Sequence, residues 1–210
     1  MRSTGSTFTE RARREQIVAG AIETIATTGY TQASLAKIAE HVGIAKSVVL
    51  YHFTSKTDII EAVVAAVFGQ AAAIIVPAVA AESTARDKLA AYIRANVRFI
   101  QNSRLAAVAM LEIITSFRTD DGLRLDQAAA RSAQSSPPSG ELTMLDPLAL
   151  ITEGINRGEF RTMSAVFTKN ALRAALDGAV WEVARDPAYD VIGYGEELVT
   201  MFDLATRAQS

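Results

Sequence analysis

Apolar residues recur three and four positions apart along almost the whole of this 210-residue chain, and no stretch alternates apolar with polar residues as a strand does. That spacing predicts an all-α fold. Half of the residues are apolar and 21% are charged, a globular composition with enough chain for one or two small domains. There are no cysteines, which excludes disulfides, thiolate zinc sites and a cysteine nucleophile.

One run tests the all-α reading from another side. AVVAAVFGQAAAIIVPAVAA, residues 62–81, carries no charge and is long enough to cross a bilayer. It is nearly half alanine, which drives insertion weakly, and Gly69, Gln70 and Pro77 interrupt it. It reads as a buried helix between packed layers, with no membrane partner. Met1–Glu10 is polar and lacks the apolar centre of a secretory leader, so the expected location is cytoplasmic.

Charge is unevenly placed. Residues 1–56 hold seven Lys or Arg against four Glu, on a chain whose net charge is −2. A basic N-terminal quarter on an acidic body is suited to phosphates. In that quarter Ile17, Val18, Ala21, Ile22 and Ile25 form one helical stripe, which starts near Thr7 or Thr9 and ends at Thr28-Gly29. Leu35, Ile38, Ala39 and Val42 mark a second, short helix with Ser34 as its N-cap. Gly43 stops it, a third helix runs from about Ala45 to His52, and a long one begins near Lys56.

Two short helices joined by a glycine turn and packed on a longer one make a helix-turn-helix. On the third helix Val49, Leu50 and Phe53 are expected to close onto Ile17, Ile38 and Ile44. Ser47, Val48 and Tyr51 then face outward, flanked by His52, with Lys46 and Lys56 at the ends. Hydroxyl, aliphatic and phenol groups can hold phosphates and touch a thymine methyl in a major groove. A recognition helix leads with its N-terminal residues, which places Lys46, Ser47 and Val48 nearest the base edges.

Residues 9–60, TERARREQIVAGAIETIATTGYTQASLAKIAEHVGIAKSVVLYHFTSKTDII, resemble the DNA-binding domain of the tetracycline-repressor (TetR) family of transcriptional regulators. The matching elements are Gly29-Tyr30, Ile38-Ala39, Gly43-Ile44, Lys46, Tyr51-His52-Phe53 and Ser55-Lys56. The resemblance implies that Lys46, Tyr51, His52 and Lys56 contact operator phosphates or bases, and that Ser34 opens a helix near the backbone. Ala33 and Ala45 stand where many relatives carry a hydroxyl, and Leu50 where tyrosine is common.

Further helices are expected near 86–101, 104–117, 147–156, 166–185 and 190–207, with Pro77, Pro147 and Pro187 as punctuation and a loop at 132–141. Catalysis has little to work with: His41 and His52 lie on separate short helices without ligand-spaced partners, and Asp120-Asp121 and Glu196-Glu197 are merely adjacent pairs. A helical enzyme is therefore the weaker alternative. An architectural DNA binder is another, but it would not need some 150 further residues of helical body. That body should hold a ligand pocket, a dimer interface, or both. Pocket candidates are Phe68, Phe99, Met110, Phe117, Met144 and Trp181, with Arg94, Asn96 and Glu112 as polar anchors. Interface candidates are Leu172, Leu176, Ala179, Val180 and Val183 on one helix, and Val191, Leu198, Phe202 and Ala205 on the next, with Ala175 and Gly178 allowing close approach.

By the family resemblance a small effector enters the body and the last two helices form a dimeric four-helix bundle. The expectation is a ligand-responsive regulator, by analogy a repressor, with no cofactor and no metal. Its partners would be a double-stranded, palindromic DNA operator, a mostly hydrophobic small-molecule effector and a second copy of the chain. Residues 1–56 would bind DNA, and 57–210 would dimerise and sense.

Overall fold

The computed structural model describes residues 8–119, 121–125, 127–129, 131 and 140–208, with the backbone alone at 140–142. Its elements are α1 (Phe8–Thr28), α2 (Leu35–Val42), α3 (Lys46–His52), α4 (Lys56–Ala80), α5 (Ala85–Asn102) and α6 (Arg104–Ser116). A 3-10 helix follows at Gly140–Leu145, then α7 (Leu148–Asn156), α8 (Ala165–Arg185) and α9 (Val191–Thr206). From α5 onward each helix predicted by apolar spacing ends within one residue of its expected limits. Thr7 and most of the loop expected at 132–141 lie outside the described residues. Pro77 does not end a helix: it sits inside α4, which continues to Ala80.

The chain divides into two compact units. Met1–Val67 joins Val108–Arg131 in the first, and Phe68–Ala107 joins Ser132–Ser210 in the second. The boundary expected at 56/57 thus falls inside the first unit. Its cause is visible at Tyr30, whose N–H donates to the Glu112 carboxylate at 3.2 Å and whose ring meets that of Phe117 edge-on, 6.1 Å between centroids.

In the first unit α1 buries Ile17, Val18, Ala21, Ile22 and Ile25. Ile38 and Ala39 of α2, Val49 of α3, Phe53, Ile59, Ile60 and Val63, and Ala109, Leu111, Ile113 and Phe117 from α6 and its end join this core. Helix α1 approaches α2 closely at Gly20, where an added Cβ would lie 2.2 Å from Val42 Cγ2. A backbone that close to a neighbour is a place for glycine.

The second unit is built around α5, which buries Leu89, Tyr92, Ile93, Asn96, Val97 and Ile100 against α7, α8 and α9. Tyr92 is 1% exposed, yet its hydroxyl is satisfied: it donates to Leu145 O at 2.9 Å and accepts from Arg173 at 3.4 Å. Asn96 donates to Tyr92 O at 2.8 Å. Burial pushes the Tyr92 phenol upward from its ordinary pKa, against the pull of Arg173. Two glycines allow close approach here: Gly154 of α7 to the Phe160 ring and Ala85 of α5, and Gly195 of α9 to Val97 of α5.

Helix α4 differs from its expected all-round burial. Only 33% of its most apolar stretch is buried, and its open positions are Glu61, Ala65, Phe68, Gly69, Gln70, Ala73, Pro77 and Ala80. Phe68 apart, the open apolar side chains are small, which makes their exposure cheap, because the apolar area left in water scales with side-chain size.

Candidate nucleic-acid interface

The turn between α2 and α3 is held by its own backbone. Ser34 stands in an extended conformation, and its hydroxyl accepts the Lys37 N–H at 3.2 Å, capping α2. Gly43 closes the helix at φ 73°, the left-handed region that glycine enters without penalty. The Ile44 N–H then returns to Ala39 O at 2.9 Å, a six-to-one bond that fixes where the chain leaves α2. Helix α3 lacks such help at its start, since Ala45 has no side-chain oxygen to cap it.

Seven residues make fewer than two full turns, so α3 is marginal alone and depends on its packing. It docks through Val49 and Phe53, both 0% exposed and one turn apart. Leu50 does not join them. It is 45% exposed, because a position about 100° from Val49 cannot reach the same side. The outward face is therefore Lys46, Ser47, Leu50 and Tyr51, with Val48 and His52 half-buried at its edges. Tyr51 is 74% exposed, its ring edge-on to His52 at 5.0 Å and its hydroxyl 3.4 Å from Glu10. Ile44 is half-buried as well.

A family model for bacterial regulatory proteins of the tetR family matches residues 17–63, the span of this helix-turn-helix and the first turns of α4. This helix-turn-helix unit is of the tetR family.

Several proteins resemble the chain along most of their length. The fatty acid metabolism regulator protein of Bacillus subtilis (strain 168) is 27% identical over 195 residues, 91% of this chain and 94% of that protein. The structure of Bacillus subtilis FadR in complex with stearoyl-CoA has a TM-score of 0.67 at 23% identity, covering 89% of this chain and 96% of that one. A TetR-family regulator from Marinobacter aquaeolei VT8 shares the fold at 12% identity, with a TM-score of 0.73 over 96% and 98% of the two chains.

Not every cation of this TetR-family unit faces outward. Lys46 is exposed, with no ion pair among the described residues. Lys56 is half-buried: its ammonium donates to Tyr30 O at 2.6 Å and lies 4.1 Å from the Tyr30 ring centroid. Burial lowers its pKa, as it raises that of Tyr30. The expected phosphate contact at Lys56 is therefore redirected inward by a carbonyl and an aromatic face. Arg13 bonds Gln16, and Arg14 turns back onto His52 O. His41 pairs with Glu23 at 2.7 Å on the flank of α1 and α2.

The pocket candidates fall in both units. Met110, Glu112 and Phe117 belong to the first unit, and the rest to the second. Phe68, Met144 and Trp181 are 42%, 39% and 48% exposed, whereas Phe99 is buried. Arg94 is an exposed partner of Glu196, joined by two bonds of 2.8 and 2.7 Å. Sequence reasoning missed a groove of about 490 Å³ between α5 and α9, walled by Leu89, Ile93, Phe160 and Phe202. Arg86 and Arg207 share Asp203 across its rim and hold that carboxyl below its ordinary pKa, Arg86 most strongly.

The interface stripe also needs correction. Leu172, Leu176, Ala179, Val180, Val183, Val191 and Leu198 are all buried within one chain, and Phe202 is half-buried in the groove wall. A partner cannot cover what is already covered. Helix α8 shows a different set outward, at steps of four and three: Phe167, Ala171, Ala174 and Trp181 are exposed, with Gly178 half-buried between the last two. On α9 the open apolar residues are Ile192, Met201, Leu204 and the expected interface residue Ala205.

Proposed function

We propose that this regulator is a homodimeric repressor that reads a palindromic operator through α3 and is released by a long-chain acyl thioester. The observation that carries the effector class is the resemblance, over 91% of the chain, to a regulator of fatty acid metabolism. Helix α4 offers a route for control, since one unbroken helix contributes residues to both compact units. An effector that binds one position of α4 better than the other lowers DNA affinity by the same coupling factor.

Lys46, Ser47 and Tyr51 are the DNA contacts best supported by their exposure, with Val48, His52 and Ser34 at the margins. The dimer is assigned to the outer faces of α8 and α9. Phe167 and Trp181 are large apolar groups left in water at the two ends of a small-residue seam, the pattern that admits a second helix at close range.

Fluorescence anisotropy with an operator duplex tests the effector directly. Stearoyl-CoA is expected to weaken DNA binding and free coenzyme A to leave it unchanged. Equal behaviour of the two would remove the acyl chain from the mechanism.

A further inference from the structure

Arg14 makes three contacts at one junction. Its Nη1 donates to His52 O, the end of α3, at 2.7 Å. The guanidinium lies over the Phe53 ring, 4.0 Å from its centroid. Its Nη2 is 3.6 Å from Asp58 Oδ1 on the first turn of α4. Asp58 Oδ2 meanwhile accepts the Thr54 N–H at 3.0 Å, so the three-residue link between α3 and α4 is gripped from both sides.

We propose that Arg14 is a positioning residue that sets the angle at which α3 is presented to DNA, not a phosphate contact. The last carbonyls of a helix have no partner in the helix, and a cation there satisfies one of them and complements the helix dipole. Helix α3 has no side-chain cap at its start, and its docking rests on Val49 and Phe53. Two buried side chains in line leave rotation about their axis open, and Arg14 restricts it by holding the carbonyl beside them. Only a planar fork reaches a carbonyl, a ring face and a carboxylate together, so lysine would replace it incompletely. The inference rests on α3 being the helix that enters the groove.

The test uses the full-length protein, a duplex selected by it from a randomised pool, an unrelated duplex of equal length, and a salt series. Arg14→Ala should weaken the selected duplex about tenfold or more, the scale of one lost charge-assisted hydrogen bond. The unrelated duplex should change little and the salt slope should stay, with Arg14→Lys intermediate. Equal weakening of both duplexes, with the slope reduced by about one, would make Arg14 a phosphate contact and overturn the proposal. So would parental binding to both. Should Arg14→Ala fail to fold, Asp58→Asn loosens the same grip and is expected to shift selectivity in the same direction at constant slope; unchanged selectivity overturns the idea. Lys46→Ala and Tyr51→Ala separate the two layers. If both bind like the parent, the α3 reading falls and this proposal with it. If they weaken binding and Arg14→Ala does not, the positioning role alone falls.

Discussion

The helix-turn-helix unit and the helical body are both all-α, yet they are specified in different ways. Between Ser34 and Asp58 almost every change of direction has a local chemical cause: a hydroxyl cap, a left-handed glycine, a carboxylate over a link. In the body the helix ends are marked as well, by the caps Thr84, Ser164 and Asp190 and the left-handed Gly158, but which faces pair is set by apolar periodicity alone. Periodicity identifies a face that must be covered, but the same stripe satisfies a neighbour in its own chain or in a second copy. The difference explains why the outward face of α3 is largely foreseen and the dimer face is not.

The largest expected effect breaks that comparison on the side of the body. Leu176 is 2% exposed, so Leu176→Glu buries a charge without a partner, at a cost of several kcal/mol against the ~5–15 kcal/mol that holds a domain together. The variant should lose helical circular dichroism and not merely its partner subunit. A folded monomer instead would return the Leu176 stripe to the interface.

Next comes the outer face of α8. Phe167→Glu and Trp181→Glu replace exposed groups, so each should keep its helicity while sedimentation shifts toward monomer, with a loss of about 2 kcal/mol per anchor. An intact dimer for both would place the interface elsewhere.

Gly20→Ala sharpens the other side. Its Cβ would press on Val42, and overpacking of this kind costs roughly 1–3 kcal/mol, readable as a lower urea midpoint. Smaller still is Ser34→Ala, about 1 kcal/mol for a lost cap. An unchanged midpoint in Ser34→Ala would show that α2 does not need its hydroxyl.

Legibility in the sequence followed the range of each interaction. Ser34, Gly29 and Gly43 act on residues next to them, and their roles could be read from the chain. Leu50 reads as buried from the sequence because a short helix leaves the exact angle of its stripe open, and it is 45% exposed. The roles of Arg14 and Lys56 were not legible: each is a basic residue whose partner lies 38 or 26 positions away. Counted by charge alone, both look like phosphate ligands. The Tyr92–Arg173 contact, 81 positions apart, was hidden for the same reason.

The central claim is that paired α3 helices read the DNA, and selection from a randomised duplex pool tests it most directly when parent and Ser47→Ala are run side by side. The parent should return a pseudo-palindrome with half-sites about one helical turn apart, or slightly more. Ser47→Ala should alter base preference at symmetry-related positions within both half-sites. An asymmetric consensus, or one that Ser47→Ala leaves untouched along with every other exposed substitution on α3, would contradict the account.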